Sequence, residues 1–558
     1  MRTKSPKSPV EFSARWTGWM LLLAALLICF QAKAVGTWTA LANTAPGGVQ
    51  LMLLLTDGTI MCHDGNSTDA WFKLTPNSSG SYVNGTWTTL TPMNDTRRFC
   101  SSQVLRDGRV FVAGGEYGTG PTTAEVYNPV TDTWTLTPSA GQPDFSDSSS
   151  VLMPDGRVLV YPVSGSVTRG TVIYNPVANS WSAGGAALRS QNEASWVKLP
   201  DDSIITVDKN TTQSERYIPS LNQWINDANV PVTLYGAGAE IGAALLLPDG
   251  RAFFIGASGN TAFYTPSGTT NNGTWATGPD LPNSQGQPDA PAAMMVNGKV
   301  LLTCSPIGVS TNVFPTPTSF YEYDPVANAY TRINGPLGGL TQNIKCYQTS
   351  MLCLPNGNIL FPDESSQLHV YNPSGSDIAA GKPTISSVGW HSNGNLKLRG
   401  TKLNGISQGA TYGDDEQMDS NYPIVRFTSG GSVYYAKTFN WSSTGVDTGS
   451  TIVTTDFSLP SVVNNSPNTA FSLVAVANGN PSTGITFYGP VWVDFNYSGA
   501  PFEFGWNVYP WNTLAEGVAA VTTGGTIAIK PGSKKEIMTI SKAMTIISVG
   551  GSAILGKN

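Results

Sequence analysis

Charge is scarce in this chain. Asp, Glu, Lys and Arg make up 12% of its 558 residues, about half the usual share. That excludes a charged disordered tail, a coiled coil, and a nucleic-acid binder with a basic stripe. Histidine is rarer still, with His63, His369 and His391 the only three. Of six cysteines, Cys29 lies in the N-terminal segment, leaving Cys62, Cys100, Cys304, Cys346 and Cys353. Five is odd and sparse, and no pair has C-x-x-C spacing, which argues against a disulfide scaffold or a zinc ribbon. Strand-like surroundings suggest buried, inert thiols. There is no P-loop, dinucleotide glycine fingerprint, Gly-x-Ser-x-Gly elbow or His-Glu-x-x-His helix.

Long apolar runs are also missing beyond the start. Residues 1–34 have a basic beginning, an apolar stretch over 20–30 and an Ala32-Lys33-Ala34 site, the pattern of an export signal. Removing them takes away five cations and one anion and moves the net charge from −6 to −10. The expectation is a secreted or cell-surface protein, with the periplasm as a further location and no membrane insertion after the signal is removed. So mildly acidic a product has no electrostatic reason to seek nucleic acid.

What is abundant is Gly (59), Pro (38) and Trp (15), a turn-rich, aromatic composition that fits an all-β class. A hydrophobic run, a tight turn and a second run recur seven times. The turns are Asp57-Gly58, Asp107-Gly108, Asp155-Gly156, Asp201-Asp202, Asp249-Gly250, Asn297-Gly298 and Asn356-Gly357. Such pairs supply the positive φ of a hairpin. A second signature follows: Tyr127-Asn-Pro with Trp134, Tyr174-Asn-Pro with Trp181, Tyr217-Ile-Pro with Trp224, Tyr264-Thr-Pro with Trp275, and Tyr323-Asp-Pro with Tyr330. Each unit is therefore four short strands, and the period of about 50 residues is that of a kelch-type propeller blade. The seventh unit has Tyr371-Asn-Pro373 but no Trp strand, while an unpartnered Trp38 strand opens the mature chain. That strand, near 36–42, is expected to complete blade seven and close the ring over 35–378, because an open edge invites aggregation.

Beyond the ring the pattern changes. Residues 379–494 read as an immunoglobulin-like sandwich, with strands near 397–400, 424–427, 432–437 and 470–476. Residues 495–510 read as a linker. Residues 511–558 read as a short helix near 512–520 followed by strands near 526–529, 537–540 and 544–547. This tail is either the opening coils of a parallel β-helix or a cap on the sandwich. A stub that short needs a partner surface, so assembly with other copies or a partner through 511–558 is expected.

Gly405-Ile-Ser-Gln-Gly-Ala-Thr-Tyr-Gly-Asp-Asp-Glu-Gln-Met418, then Asn421-Tyr-Pro-Ile-Val-Arg426 and Thr438-Phe-Asn-Trp-Ser-Ser-Thr-Gly-Val446, carry a family resemblance. Ring and sandwich together resemble the bacterial kelch branch of the galactose oxidase/glyoxal oxidase family over residues 36–490. The resemblance implies one copper held by two Tyr and two His, with one Tyr cross-linked to a Cys. At the matching positions this chain has Phe99 for the cross-linked Tyr, Tyr347 and then Gln348 for the Tyr-His pair, and Phe439 near the sandwich His. The partner Cys position falls near Gly48 or Val49. A phenylalanine cannot become a phenoxyl ligand, and both imidazoles are gone. No copper, and no copper-radical oxidase activity, is expected.

Eight and nine residues before each turn, the innermost strands should begin and share one mouth of the ring. There the sequence places Arg98/Phe99, Ser146/Asp147, Asn192/Glu193, Glu240/Ile241, Pro288/Asp289 and Tyr347/Gln348. Asp147, Glu193, Glu240 and Asp289 would converge and repel unless neutralised. A hard cation such as Ca²⁺, a sugar using these carboxylates with Asn192, Tyr347 and Gln348, pairing with Arg98, and plain solvation all remain open. Asp414, Asp415, Glu416 and Asp419 form a second acidic cluster without EF-hand spacing, read as a cation loop or a solvated turn. Three functions follow: an exported binding or structural protein whose mouth holds a glycan or cell-surface protein; a polysaccharide hydrolase or lyase using axial carboxylates; and an oxidase with an altered metal site.

Overall fold

The computed structural model describes residues 1–3, 35–142, 144–162, 170–189, 191–192, 194–412, 416–499 and 501–556. The signal segment, Glu193, Asp414 and Asp415 lie outside the described residues. Among the described residues, no helix is long and apolar enough to cross a membrane.

Hydrophobic runs broken by Asp-Gly turns fold as antiparallel hairpins. At six of the seven turns the glycine takes φ between +76° and +88°, and at the remaining one Asp202 takes +65°. A side chain tolerates that region poorly, which explains the Gly preference. Each hairpin extends into a blade of four strands; six blades are separate four-stranded sheets, and the sixth in chain order is part of an eight-stranded sheet. The second is typical: Ser101–Val104, Val110–Ala113, Ala124–Asn128 and Thr133–Leu136. The inner strands are buried throughout, whereas the outermost alternates with solvent, as one-sided packing requires.

The Tyr and Trp of the second signature face each other across the outer pair of strands. Their ring centroids lie 5.0 Å apart for Tyr127–Trp134, 5.1 Å for Tyr174–Trp181 and 5.3 Å for Tyr217–Trp224. Trp134 also donates its indole N–H to Thr91 O at 2.9 Å, on the preceding blade. Ring closure repeats the same device. Thr37–Ala40 pairs antiparallel with His369–Asn372, setting Trp38 against Tyr371 with centroids 4.7 Å apart. The Trp38 indole N–H reaches Asn334 O at 2.7 Å, just beyond the outer strand of blade six.

The immunoglobulin-like sandwich follows, with strands such as Leu396–Thr401 and Ile452–Ser458 alternating buried and exposed. One strand, Ser432–Phe439, joins its two layers: residues 432–436 pair with Ile424–Ser429, and 437–439 with Ile452–Ser458. The sandwich sits on the face of the ring that carries the Asp-Gly turns. Thr438 N donates to Thr56 O at 3.3 Å and Asn440 N to Arg106 O at 2.7 Å, and Thr444 Oγ1 donates to Met153 O at 2.7 Å.

The sandwich also reaches into the ring, which the sequence reading did not foresee. Gly409–Tyr412 and Gln417–Asp419 form a hairpin, and its first strand pairs with the innermost strand of blade six, Pro291–Met294. It packs on the innermost strands of blades one, two, five, six and seven. Gln417 Oε1 accepts from Ser150 Oγ of blade three at 2.9 Å, and Gln408 Oε1 accepts from Lys198 N of blade four at 2.8 Å. All seven blades thus meet this one element. Neighbouring blades also crowd each other near the axis: a Cβ on Gly242 would lie 2.4 Å from Gln287 O.

The tail corrects two expectations. Residues 495–510 are not a linker, and the sandwich does not run to 494. Val491–Val493, Thr526–Ile529 and Thr545–Ser548 form a three-stranded parallel sheet, and Gly532–Lys534 pairs parallel with Ala553–Leu555. These short strands stack in parallel, and the first begins at Val491. The segment after it folds back on that strand, with Trp492 N donating to Gly505 O at 2.8 Å and Asp494 N to Trp511 O at 2.8 Å. The expected strand at 537–540 is absent; Ile537 and Ile540 are exposed and gain nothing from a ladder there. The helix Leu514–Ala520 is capped by Thr513, whose side chain accepts from Glu516 N.

If Trp38 clasps the ring, W38A should destabilise the protein by about 2–3 kcal/mol and lower the midpoint of denaturant unfolding, while W38F should retain part of the loss. An unchanged midpoint in W38A would show that closure does not depend on this ring.

Candidate functional site

Each innermost strand ends in a turn that meets the sandwich, so its beginning faces the opposite mouth. A cavity of about 250 Å³ opens there. Its walls are Arg98, Phe99, Glu116, Tyr117, Asp147, Glu240, Asp289, Phe314, Tyr347 and Tyr412. Arg98, Phe99, Asp147, Glu240, Asp289 and Tyr347 were placed at one mouth by counting back from the turns. Phe99, Asp147 and Asp289, each eight residues before its turn, share an unusual backbone, with φ of +50°, +50° and +43°. Three blades thus repeat the same costly conformation at the same position, each sending its side chain into the cavity.

The remaining wall residues come from elements the count could not reach. Glu116 and Tyr117 lie on the loop between the second and third strands of blade two. That loop is anchored by Arg97, fully buried, whose guanidinium donates to Gly114 O at 2.7 Å and Gly120 O at 2.6 Å and pairs with buried Glu125 at 3.0 Å. Phe314 comes from a loop of blade six and meets Tyr347 edge-on at 4.8 Å. Tyr412 closes the floor. It is the last residue of the hairpin strand and lies opposite Pro291, at the mouth end of its partner. Its ring stacks on Phe99 with centroids 6.0 Å apart and planes 10° apart.

Phe439 ends the strand Ser432–Phe439, pairs with Asp456 inside the sandwich, and takes no part in the cavity wall. The sandwich contributes to the mouth through its hairpin, and a position count along one strand cannot reveal that a loop elsewhere crosses the ring.

Two expected lining residues stand behind the wall instead. Asn192 Nδ2 donates to Asp147 Oδ2 at 2.8 Å, and Lys209 Nζ donates to Asn192 Oδ1. Gln348 Nε2 donates to Glu364 Oε2 at 2.7 Å. Glu364 also takes the Arg98 guanidinium in an ion pair, so this cation is neutralised from blade seven. Glu364 was missed because it follows the second strand of its blade, outside the register used. Its backbone carbonyl packs against Gly48, where a Cβ would lie 2.4 Å from it.

The electrostatics of the cavity are acidic. Glu116, Asp147, Glu240 and Asp289 bring four carboxyl groups, and Arg98 is committed to Glu364. Burial raises the Asp147 carboxyl, with Asn192 and Lys209 countering only part of the effect. Burial also raises Glu116, opposed by its hydrogen bond with Tyr117 and reinforced by the charge of Asp147.

Among the described residues no three His, Cys, Asp or Glu side chains converge closely enough to hold a metal ion. Of the four carboxylates read as a Ca²⁺ set, Glu193 lies outside the described residues, and Asp147, Glu240 and Asp289 stand on blades three, five and six around the cavity. Of the second acidic cluster, Glu416 and Asp419 are buried within the axial hairpin, while Asp414 and Asp415 lie outside the described residues.

The donor set does not fit a copper held by two tyrosines and two imidazoles. Tyr117, Tyr347 and Tyr412 offer phenols, but His63 is buried in blade one with Nε2 3.0 Å from Thr68 O. His369 lies in the third strand of blade seven, and His391 Nε2 is 2.9 Å from Asp456 Oδ1 in the sandwich. The five cysteines of the described residues are buried and outside any disulfide, and burial pushes the Cys346 and Cys353 thiols up to about 12.

The Kelch motif matches residues 97–141, the span of blade two. The ring is a kelch-type propeller. No curated protein matches the chain. Among solved structures it is similar to a fungal alcohol oxidase of the AA5 family in complex with copper, at 12% identity over 82% of this chain and 99% of that one, with a TM-score of 0.49. It is also similar to a streptogramin B lyase at 11% identity over 62% and 100%, TM-score 0.44. A virginiamycin B lyase from Staphylococcus aureus matches at 11% identity over 61% and 99%, TM-score 0.42.

Beneath the kelch ring's cavity lie two buried charged side chains, Lys198 of blade four and Asp419 of the hairpin. Lys198 Nζ donates to Leu152 O at 2.6 Å and Thr444 O at 2.8 Å, and Gln408 Nε2 donates to Asp419 Oδ1 at 3.3 Å. Burial pushes the Asp419 carboxyl up to about 6, with the nearby Lys198 charge offsetting part of the rise. A carboxyl raised on folding favours the folded state at low pH, and the advantage is lost as pH rises through about 6. Wild type should therefore lose stability relative to D419N between pH about 4 and about 7, by at most about 3 kcal/mol. Denaturant midpoints across that range test this, and a pH-independent difference would contradict it.

Proposed function

We propose that this chain is an exported binding protein whose ring mouth recognises a glycan outside the cell. The observation that carries the reading is the composition of the cavity wall. Five aromatic rings stand beside four carboxyl groups. Aromatic faces pack on the C–H faces of sugar rings, while carboxylates and phenols bond to hydroxyls. The repeated left-handed backbone at Phe99, Asp147 and Asp289 supports the same conclusion, because strain of this kind gathers where side chains must be aimed. Export rests on the N-terminal segment of the sequence.

The resemblance to the bacterial kelch branch of the galactose oxidase family belongs to this proposal as a relation of scaffold. Phe99 stands in the cavity wall where that family's cross-linked tyrosine is expected, and Gln348 is turned away toward Glu364. The reading therefore excludes copper-radical oxidation at the mouth.

A second reading is a polysaccharide hydrolase or lyase. Its specific support is the pair Glu116 and Asp147, both raised by burial and coupled by charge, as a general acid would need. A glycan array followed by incubation of each hit with the protein separates the two. Binding without released sugar, and protein without stoichiometric copper or a Tyr–Cys cross-link, is the expected result. Released sugar abolished in E116Q and D147N would favour the hydrolase or lyase, and stoichiometric copper would overturn the reading of the mouth.

A further inference from the structure

Behind the wall of the mouth, an amine, an amide and a carboxyl group stand in one chain. Lys209 Nζ donates to Asn192 Oδ1, and Asn192 Nδ2 donates to Asp147 Oδ2 at 2.8 Å. The carboxamide of Asn192 therefore lies between the other two groups, its oxygen toward the amine and its nitrogen toward the carboxyl. All three residues are half-buried. The charge of Lys209 also acts on Asp147, offsetting part of the rise that burial imposes on that carboxyl.

The amine and the amide belong to the two arms of one hairpin in blade four. Its strands Val197–Lys198 and Ile204–Val207 pair at Val197–Ile205 and Lys198–Ile204. Asn192 precedes the first strand and Lys209 follows the second, so both lie at the mouth end of this short ladder. Asp147 reaches them from blade three. An amine seated on a carboxamide, with a carboxyl group on the nitrogen that would leave, is the starting arrangement of an amide exchange. A lysine amine is a nucleophile once it gives up its proton. A carboxyl group in contact can carry that proton, and fixed contact between the reactants replaces a chance encounter.

We infer that Lys209 and Asn192 join through an isopeptide bond between Nζ and Cγ, with Asp147 as the proton carrier. The lone pair of Nζ forms the new bond to Cγ, and the carbonyl electron pair moves onto Oδ1. Asp147 takes the proton that Nζ loses. When the carbonyl re-forms, the bond from Cγ to Nδ2 breaks, and Asp147 returns the proton to the departing nitrogen. One amine and one primary amide become one secondary amide and one ammonia, with no oxidant or other reactant. The link ties the mouth end of the blade-four hairpin covalently and fixes the support that Asn192 gives Asp147. Like other cross-links, it stabilises the fold by restricting the unfolded chain.

The test is peptide mapping by mass spectrometry of the full chain, folded first and then denatured and digested with trypsin. The bond is read directly, whatever the mouth binds. Cleavage after Arg189, Lys198 and Arg216 releases segments 190–198 and 199–216. In wild type these should stay joined as one branched peptide, uncut after Lys209 and one ammonia lighter than the two segments together. K209R keeps the charge and the hydrogen bond but offers no amine of this kind, and N192S removes the amide. Both should release 190–198 as a free peptide, and both should unfold at a lower denaturant concentration than wild type. D147N should leave the two segments largely separate. Free 190–198 as the sole product from folded wild type would overturn the inference, whether or not the variants fold. A joined peptide in K209R would overturn it as well, and wild-type yield of the joined peptide in D147N would overturn the part given to Asp147.

Discussion

A ring of seven blades leaves a hole on its axis, and the hairpin 409–419 is what fills it. Innermost strands at such an axis have one edge without a neighbour in their own blade. Unpaired backbone groups there would be costly once water is excluded. Strand Gly409–Tyr412 pairs with the innermost strand of blade six, while Gln417 and Gln408 supply acceptors to blades two, three and four. The sandwich lies over the Asp-Gly turns on the side from which this element enters the ring.

Filling the axis from one side also fixes where a site can be. The hairpin leaves open only the mouth opposite the sandwich, and its last described residue before the tip, Tyr412, becomes the floor of that opening. The walls are then supplied blade by blade from equivalent positions. Repetition of the fold therefore gives several side chains one shared direction, and the left-handed backbone at Phe99, Asp147 and Asp289 sharpens it. Rigid support comes from behind: Arg97 with Glu125 under the Glu116 loop, Asn192 behind Asp147, and Glu364 behind Arg98. A pocket held this way is preorganised for binding, with little side-chain entropy left to lose.

Much of this was legible in the sequence because it repeats. Seven turn signals and the Tyr–Trp signature reported the blades, and the missing Trp in the last unit pointed to Trp38 at the other end of the chain. The same register placed Asp147, Glu240, Asp289 and Tyr347 around one mouth. What does not repeat was not legible. The hairpin reads like any short strand pair with an acidic tip, so its passage into the ring, and with it Tyr412, is hidden. Glu116, Tyr117, Phe314 and Glu364 lie on loops whose direction depends on tertiary anchors such as Arg97. The first strand of the tail was lost inside the sandwich because Val491–Val493 gives no local sign that its partner, Thr526–Ile529, pairs with it in parallel from a distant part of the chain.

The central claim is that the mouth closed from below by the hairpin is where this protein meets its ligand. Hydrogen-exchange mass spectrometry, with and without a bound glycan, tests it most directly. The account predicts added protection confined to the segments around 97–99, 114–118, 144–147, 286–291, 345–348 and 409–412, with the turns under the sandwich unchanged. Protection confined to the outer sandwich strands or to the strands after 491, with the mouth exchanging as before, would contradict it.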